Sequence, residues 1–285
     1  MLSIYRLLIS LIFLLSPIIF IYRRLKKKEN FKSYKEKIGL FSKKRKKGKL
    51  IWFHGASVGE IQSIIPLLEK FEKENKVQQI LLTSNTLSSL NVINKIKLQK
   101  ITHQFFPIDI NFINNIFLNY WKPSKVYFID SEIWPNMILN LRKRNVPINL
   151  INGRITKKSF KRWMFFPNLS KKIFSNIDLC LASSVGSKKI LKRLFVKNVK
   201  FYGNLKFSQS EKEKYKINNN LKKFLSNKKV WCAASTHESE EKICADVHIK
   251  LKKKYKDITT IIIPRHVERC EEIKNDLENL SLKVH

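Results

Sequence analysis

Glu60 sits at the end of Ile51-Trp52-Phe53-His54-Gly55-Ala56-Ser57-Val58-Gly59-Glu60, an apolar β-prone run that gives way at His54 to a loop of small residues. It opens a periodic segment with apolar residues at Ile61, Ile64, Ile65, Leu67, Leu68 and Phe71, the spacing of an amphipathic helix. A carboxylate so placed could take a proton from a hydroxyl. Burial raises its pKa towards what a base needs, whereas the helix N-terminus favours the charged form. The plainer reading is a helix-start residue, and both stand.

Asp130 and Glu132 follow the buried-looking run Val126–Ile129, either as caps for a helix after Pro135 or as site residues. Ser235-Thr236-His237-Glu238 has the [ST]-x-x-[DE] pattern of a capping box, and free N–H groups at such a helix start also bind phosphate. Pro264, Arg265 and His266 end another apolar run, as solvent-facing residues or as ligand contacts. Lys206, in so basic a chain, reads by default as a solvated surface residue.

These residues need a scaffold, and the pattern supplies one. Apolar runs at 50–53, 80–83, 101–106, 126–129, 148–151, 179–182 and 199–202 alternate with helical patterns such as 112–121, 135–144 and 188–195. That alternation predicts an α/β fold with a parallel sheet covered on both faces. Loops at the carboxyl ends of such strands are where ligands bind. The bridge 29–48 reads as basic and irregular, and 208–227 as a linker. A second α/β series follows: a run at 230–234, a helix over 238–255, a strand at 259–263, a helix over 268–280 and a further strand from Ser281. The boundaries expected are therefore 1–28, 29–207, 208–227 and 228–285.

Hydrophobic residues make up 44% of the 285, enough for packed cores. Against 57 Lys+Arg stand 22 Asp+Glu, a formal net charge of +35 that favours polyanionic partners. Abundant Lys, Asn and Ile, all with AT-rich codons, offer a mutational source for part of that charge. No zinc module or RNA-binding signature accompanies it, so nucleic acid is not the expected partner. Cys180, Cys232, Cys244 and Cys270 lack C-x-x-C spacing, and His54, His237 and His266 lack metal-ligand spacing. No metal is expected.

Leu7 to Tyr22 is nearly unbroken apolar sequence, followed by Arg23, Arg24, Lys26, Lys27 and Lys28. A cleaved signal peptide has its charge before the apolar run, the reverse of this order. The segment reads as a membrane anchor with its basic flank against anionic lipid on the cytoplasmic side, spanning or lying on the bilayer.

Taken together, the motifs resemble one family, the 3-deoxy-D-manno-octulosonic acid (Kdo) transferases of Gram-negative bacteria. The resemblance rests on His54-Gly55-Ala56-Ser57-Val58-Gly59-Glu60, Asp130-Ser131-Glu132-Ile133-Trp134-Pro135-Asn136 and Asn152-Gly153-Arg154. It continues through Gly203-Asn204-Leu205-Lys206-Phe207, Ser235-Thr236-His237-Glu238 and Pro264-Arg265-His266, in family order along residues 1–285. The resemblance implies a GT-B fold, two Rossmann-like domains facing across a cleft, the second apparently truncated at His285.

It further implies inverting, metal-independent transfer of Kdo from CMP-Kdo to lipid IVA, the lipid A precursor, in lipopolysaccharide core biosynthesis. No cofactor is implied. The setting is the cytoplasmic side of the inner membrane. Glu60 would be the base, with Asp130 and Lys206 stabilising the transition state. Pro264, Arg265, His266, Ser235, Thr236 and Glu132 would bind substrates. Asp130 departs from the family's Glu by one methylene, and Ser239 stands where Gly is usual. The rival expectation is a truncated, inactive chain that retains only membrane or acceptor binding.

Overall fold

The computed structural model describes residues 1–208 and 218–285, which belong to two compact units. The first begins with three helices, α1 (Leu2–Leu14), α2 (Ser16–Leu25) and α3 (Phe31–Lys37). Strand and helix then alternate: β1 (Leu50–His54), α4 (Val58–Glu72), β2 (Gln79–Ser84), α5 (Leu87–Ile93), β3 (Ile101–Phe105) and α6 (Asn111–Trp121). The series continues through β4 (Lys125–Ile129), α7 (Pro135–Lys143), β5 (Ile148–Gly153), α8 (Lys157–Met164) and α9 (Pro167–Phe174). It closes with β6 (Leu179–Ala182), α10 (Val185–Arg193) and β7 (Val199–Lys200), followed by a 3-10 turn, Leu205–Ser208.

The seven strands form one parallel sheet in the order β3-β2-β1-β4-β5-β6-β7. Both faces are covered, which is why β1 and β2 read as continuous apolar runs: all their residues are buried. Successive β1 side chains point to opposite faces. Leu50 and Trp52 join a core with Phe117, Trp121, Phe128 and Leu141, whereas Ile51 and Phe53 pack with Ile61, Ile64 and Leu68 of α4. The chain order reverses direction between β1 and β4, with His54 beside Phe128. Ligands of open α/β sheets bind at that switch point.

Two glycines of the expected motifs have steric reasons. A Cβ on Gly55 would lie 3.2 Å from Cβ of Glu60, so β1 can turn tightly into α4. A Cβ on Gly153 would lie 2.7 Å from Sγ of Cys180, where β5 bulges against β6.

The apolar N-terminus is not one continuous helix. Pro17 has no N–H to bond the Phe13 carbonyl, and its ring crowds that carbonyl; α1 and α2 meet at a 54° bend. Among the described residues no single helix is long and apolar enough to cross a membrane. The bridge 29–48, expected to be irregular, contains α3, started by a reciprocal capping box between Asn30 and Ser33. The linker expected over 208–227 includes residues 209–217, which lie outside the described residues, and a helix, α11 (Asn219–Leu225).

The second unit continues with β8 (Lys229–Thr236), α12 (Glu240–Lys254), β9 (Ile258–Pro264) and α13 (Cys270–Asn279). β8 and β9 pair in parallel. The further strand expected from Ser281 is not formed; residues 282–285 have no regular structure.

Candidate active site

Glu60 lies at the third position of α4, just beyond the end of β1. Ser57 caps this helix: its Oγ accepts from the Glu60 N–H at 3.4 Å and donates to Glu60 Oε1 at 2.8 Å. Glu60 Oε2 accepts from the Ala56 N–H at 2.8 Å. So the helix-start reading of Glu60 is structurally right, and the capping interactions also fix the carboxylate in one orientation. Burial raises its pKa; the Ser57 and Ala56 hydrogen bonds pull it back, and the negative charges of Glu132 and Asp130 add to the rise. Burial wins that contest.

Asp130 and Glu132 come from the loop after β4, the neighbour of β1. Neither caps α7. That role belongs to Asp109, whose carboxylate accepts from the backbone N–H of Asn136 at 2.9 Å and of Met137 at 2.8 Å. Glu132 turns instead to β1: Oε2 accepts from His54 Nε2 at 3.1 Å and from Trp134 Nε1 at 2.9 Å. His54 is fully buried and stacked on Phe106 with centroids 3.9 Å apart. Its Nδ1 meets Thr83 Oγ1 at 3.0 Å, and that oxygen accepts from Trp52 Nε1 at 2.9 Å.

Indole N–H groups only donate. Thr83 Oγ1 therefore accepts from Trp52 and faces both His54 Nδ1 and the Phe53 carbonyl, the latter at 3.3 Å, while Nε2 of His54 donates to the Glu132 carboxylate, which only accepts. The carboxylate of Glu132 is thus held by two donors.

Asp130 adopts a left-handed backbone, φ 56°, and accepts from Asn152 Nδ2 at the end of β5. Asn152, itself at φ 57°, accepts through Oδ1 from the Leu205 N–H at 3.2 Å. The Arg154 N–H donates to the Asp130 carbonyl at 3.2 Å. One amide thus ties the loop bearing Asp130 to the 3-10 turn whose backbone includes Lys206. Glu60, Asp130 and Glu132 come together at the β1–β4 switch point.

In the second unit, Ser235, Thr236, Pro264, Arg265 and His266 also come together. Thr236 pairs with Pro264, and the Arg265 N–H donates to the Thr236 carbonyl at 2.9 Å. Arg265 and His266 are exposed and Thr236 is buried. The capping box expected from Ser235 to Glu238 is not the one formed. A register shift at Ala234/Thr236 and φ 61° at Ser235 and 74° at Ser239 delay α12 to Glu240. Glu240, rather than Glu238, accepts from the His237 N–H at 2.8 Å. The Ser239 departure falls on this left-handed turn, a conformation glycine takes without strain.

Sequence reasoning missed His54, Asn152 and the donor role of Trp134. His54 had its place in the first motif as a signal; its partner 78 positions away had none.

With this geometry in view, known proteins can be set beside the chain. Residues 32–209 match the family model described as 3-deoxy-D-manno-octulosonic-acid transferase (kdotransferase). The 3-deoxy-D-manno-octulosonic acid transferase of Rickettsia bellii is 36% identical over 94% of this chain and 65% of its own length. A protein of Arabidopsis thaliana named a probable mitochondrial 3-deoxy-D-manno-octulosonic acid transferase is 32% identical over 96% of this chain and 64% of its own. The chain thus spans a little under two thirds of these relatives' length. Among solved structures, UDP-GlcNAc 2-epimerase of Neisseria meningitidis bound to UDP-GlcNAc superposes with a TM-score of 0.58. It is 15% identical and covers 83% of this chain and 70% of that one. At that identity the likeness shows the fold alone: an α/β protein built on parallel sheet.

Proposed function

Because the chain belongs to the 3-deoxy-D-manno-octulosonic-acid transferase family, we propose that it transfers Kdo from CMP-Kdo to lipid IVA with inversion. The observation that carries this reading is Glu60, a partly buried carboxylate of raised pKa held by two donors at the sheet's switch point, beside Asp130 and Glu132. In the proposed step the acceptor's primary hydroxyl gives its proton to Glu60, and its oxygen bonds to the anomeric carbon. The bond from that carbon to the phosphate breaks, and CMP leaves with the electron pair. Asp130 stabilises the oxocarbenium-like carbon, and Lys206 the negative charge that develops on the departing side. In the second unit, exposed Arg265 and His266 with the Ser235–Thr236 loop hold the nucleotide. Glu132 keeps the base's surroundings negative.

The first unit's N-terminal helices keep the enzyme on the cytoplasmic face of the inner membrane. Ile4, Leu7, Leu8, Leu11 and Ile12 of α1 are exposed, whereas Tyr5 and Arg6 bond to the protein core. That division favours a helix lying in the interface over one that spans the bilayer.

Radiolabelled Kdo transfer from CMP-Kdo to lipid IVA by the purified chain tests the reading. A well-folded chain that transfers nothing would sink it and leave the membrane- or acceptor-binding reading. The same assay yields a pH prediction. Glu60 must be ionised to act, and the charge of Glu132 helps raise its pKa. Glu132→Gln removes that charge, so the acid limb of kcat/KM is expected to move to lower pH. An unchanged or upward-shifted limb would separate Glu132 from the base.

A further inference from the structure

A cavity of about 330 Å³ opens where α1 lies against α7 and α9, lined by Leu2, Arg6, Leu139, Arg142, Lys143 and Lys172. We propose that it is the binding site for the headgroup of an anionic glycerophospholipid of the membrane on which α1 rests. The proposal rests on the reading of α1 and α2 as a membrane anchor and adds a specific ligand to it.

Four cations face one cavity, and the ion pair that engages them is weak: Arg142 to Asp178 at 3.5 Å, both side chains about half exposed. Arg142 and Lys143 in the last turn of α7, and Lys172 in that of α9, have an ordinary role opposite the helix macrodipole. Arg6 does not, since it lies in the first half of α1. Its Nε donates at 2.9 Å to Oδ1 of Asn136, a fully buried side chain whose Nδ2 donates in turn to the Asp109 carbonyl at 2.6 Å. This guanidinium is held in place by the protein core at the rim of an otherwise basic cavity. Arginine held this way favours phosphate oxygens, which its planar fork matches.

The two apolar wall residues point to a lipid rather than a free anion. Leu2 and Leu139 suit a glycerol backbone and the first methylenes of an acyl chain. Leu2 and Arg6 lie one turn apart on the docked side of α1, while Ile4, Leu7, Leu8 and Leu11 point away from the protein. A phospholipid whose chains lie alongside that exposed face would thus bring its phosphate to the cations. Basic pockets beside membrane helices bind anionic headgroups in this manner, each surface cation contributing about 1 kcal/mol.

The test is flotation of the full chain with phosphatidylcholine vesicles, with and without phosphatidylglycerol and free of any glycolipid. Two triple variants remove equal charge: R142Q/K143Q/K172Q in the cavity, and K189Q/K192Q/K197Q on and after α10, where all three lysines are exposed. The wild-type chain is expected to partition better into phosphatidylglycerol vesicles. The cavity triple should lose about tenfold or more of that preference, with the α10 triple within about twofold of wild type.

Equal losses in both triples would assign the preference to diffuse charge and overturn the site. So would full competition by inorganic phosphate, which would make it a free-anion site. Binding of the cavity triple to phosphatidylcholine at the wild-type level would show the anchor intact, so a headgroup failure is separable from an anchor failure. No binding of wild type to either vesicle would sink both. All three substituted side chains in the cavity set are solvent-exposed, and circular dichroism of the triples is expected to match wild type.

Discussion

Glu60→Gln is expected to lower kcat for Kdo transfer by about 10²- to 10⁴-fold, the usual contribution of a general base, with little change in stability. The geometry makes this substitution informative. Glutamine keeps an oxygen that can accept from the Ala56 N–H, and Ser57 can still accept from the residue 60 N–H as the N-cap. Only the ionisable group is lost. If Glu60 were merely a helix-start residue, activity would persist in the glutamine variant, and only Glu60→Ala would carry a capping cost, about 1 kcal/mol. Glu60→Ala combines both losses and cannot separate them alone.

Linkage provides a second signature. A carboxylate whose folded-state pKa is raised contributes stability at low pH that is lost as pH rises through the folded value. Glutamine has no such term. The stability of the glutamine variant relative to wild type should therefore improve as pH rises past the ordinary carboxylate range, read from urea midpoints across pH. A site residue kept at a cost in stability behaves this way, and an optimised cap does not.

The parallel sheet was legible because its strands are buried on both faces. Leu50–Phe53 and Ile80–Thr83 could be read directly as apolar runs, and the amphipathic period of α4 led to Glu60. What was not legible is contact between distant residues. Nothing local in Glu132 says that it meets His54 rather than the helix start after Pro135. Acids just before a helix read as its caps as readily as site residues, yet the group that caps α7 is Asp109, 27 positions away.

Local backbone exceptions account for the other differences. The box predicted at Ser235 slipped by two residues because Ser235 and Ser239 take left-handed geometry, which serine rarely signals. The N-terminal run looked continuous to a hydropathy reading, yet Pro17 divides it. Asn30 and Ser33 started a helix inside a lysine-rich bridge that composition alone marked as irregular.

Asp109→Ala is expected to be the most destabilising single substitution considered for the first unit, by about 4 kcal/mol, because it leaves several buried donors without an acceptor. The carboxylate receives the N–H groups of Asn136 and Met137, Nδ2 of Asn114 at 2.7 Å and the hydroxyl of Tyr5 at 2.7 Å. It is 1% exposed, so water cannot replace it in the folded state. In urea the midpoint should fall by roughly 1–2 M for a unit of this size.

Asp109→Asn should recover much of the loss. Its oxygen serves one backbone donor, and the Tyr5 hydroxyl can turn to accept from its Nδ2, leaving a single N–H of α7 unpaired. Tyr5→Phe separates the two ends of the network. It removes the bond to α1 while α7 keeps its cap, so hydrogen exchange should speed up in α1 and remain slow in α7. If exchange rose equally in both helices, Tyr5 would belong to the core of α7, and α1 would not be a separately attached element. If exchange rose in α1 alone, Asp109 would be the point at which the N-terminal helices are fastened to the helix that follows the Asp130–Glu132 loop. α1, the proposed membrane helix, and the candidate base would then be parts of one unit, fastened by a carboxylate that bonds to α1 through Tyr5.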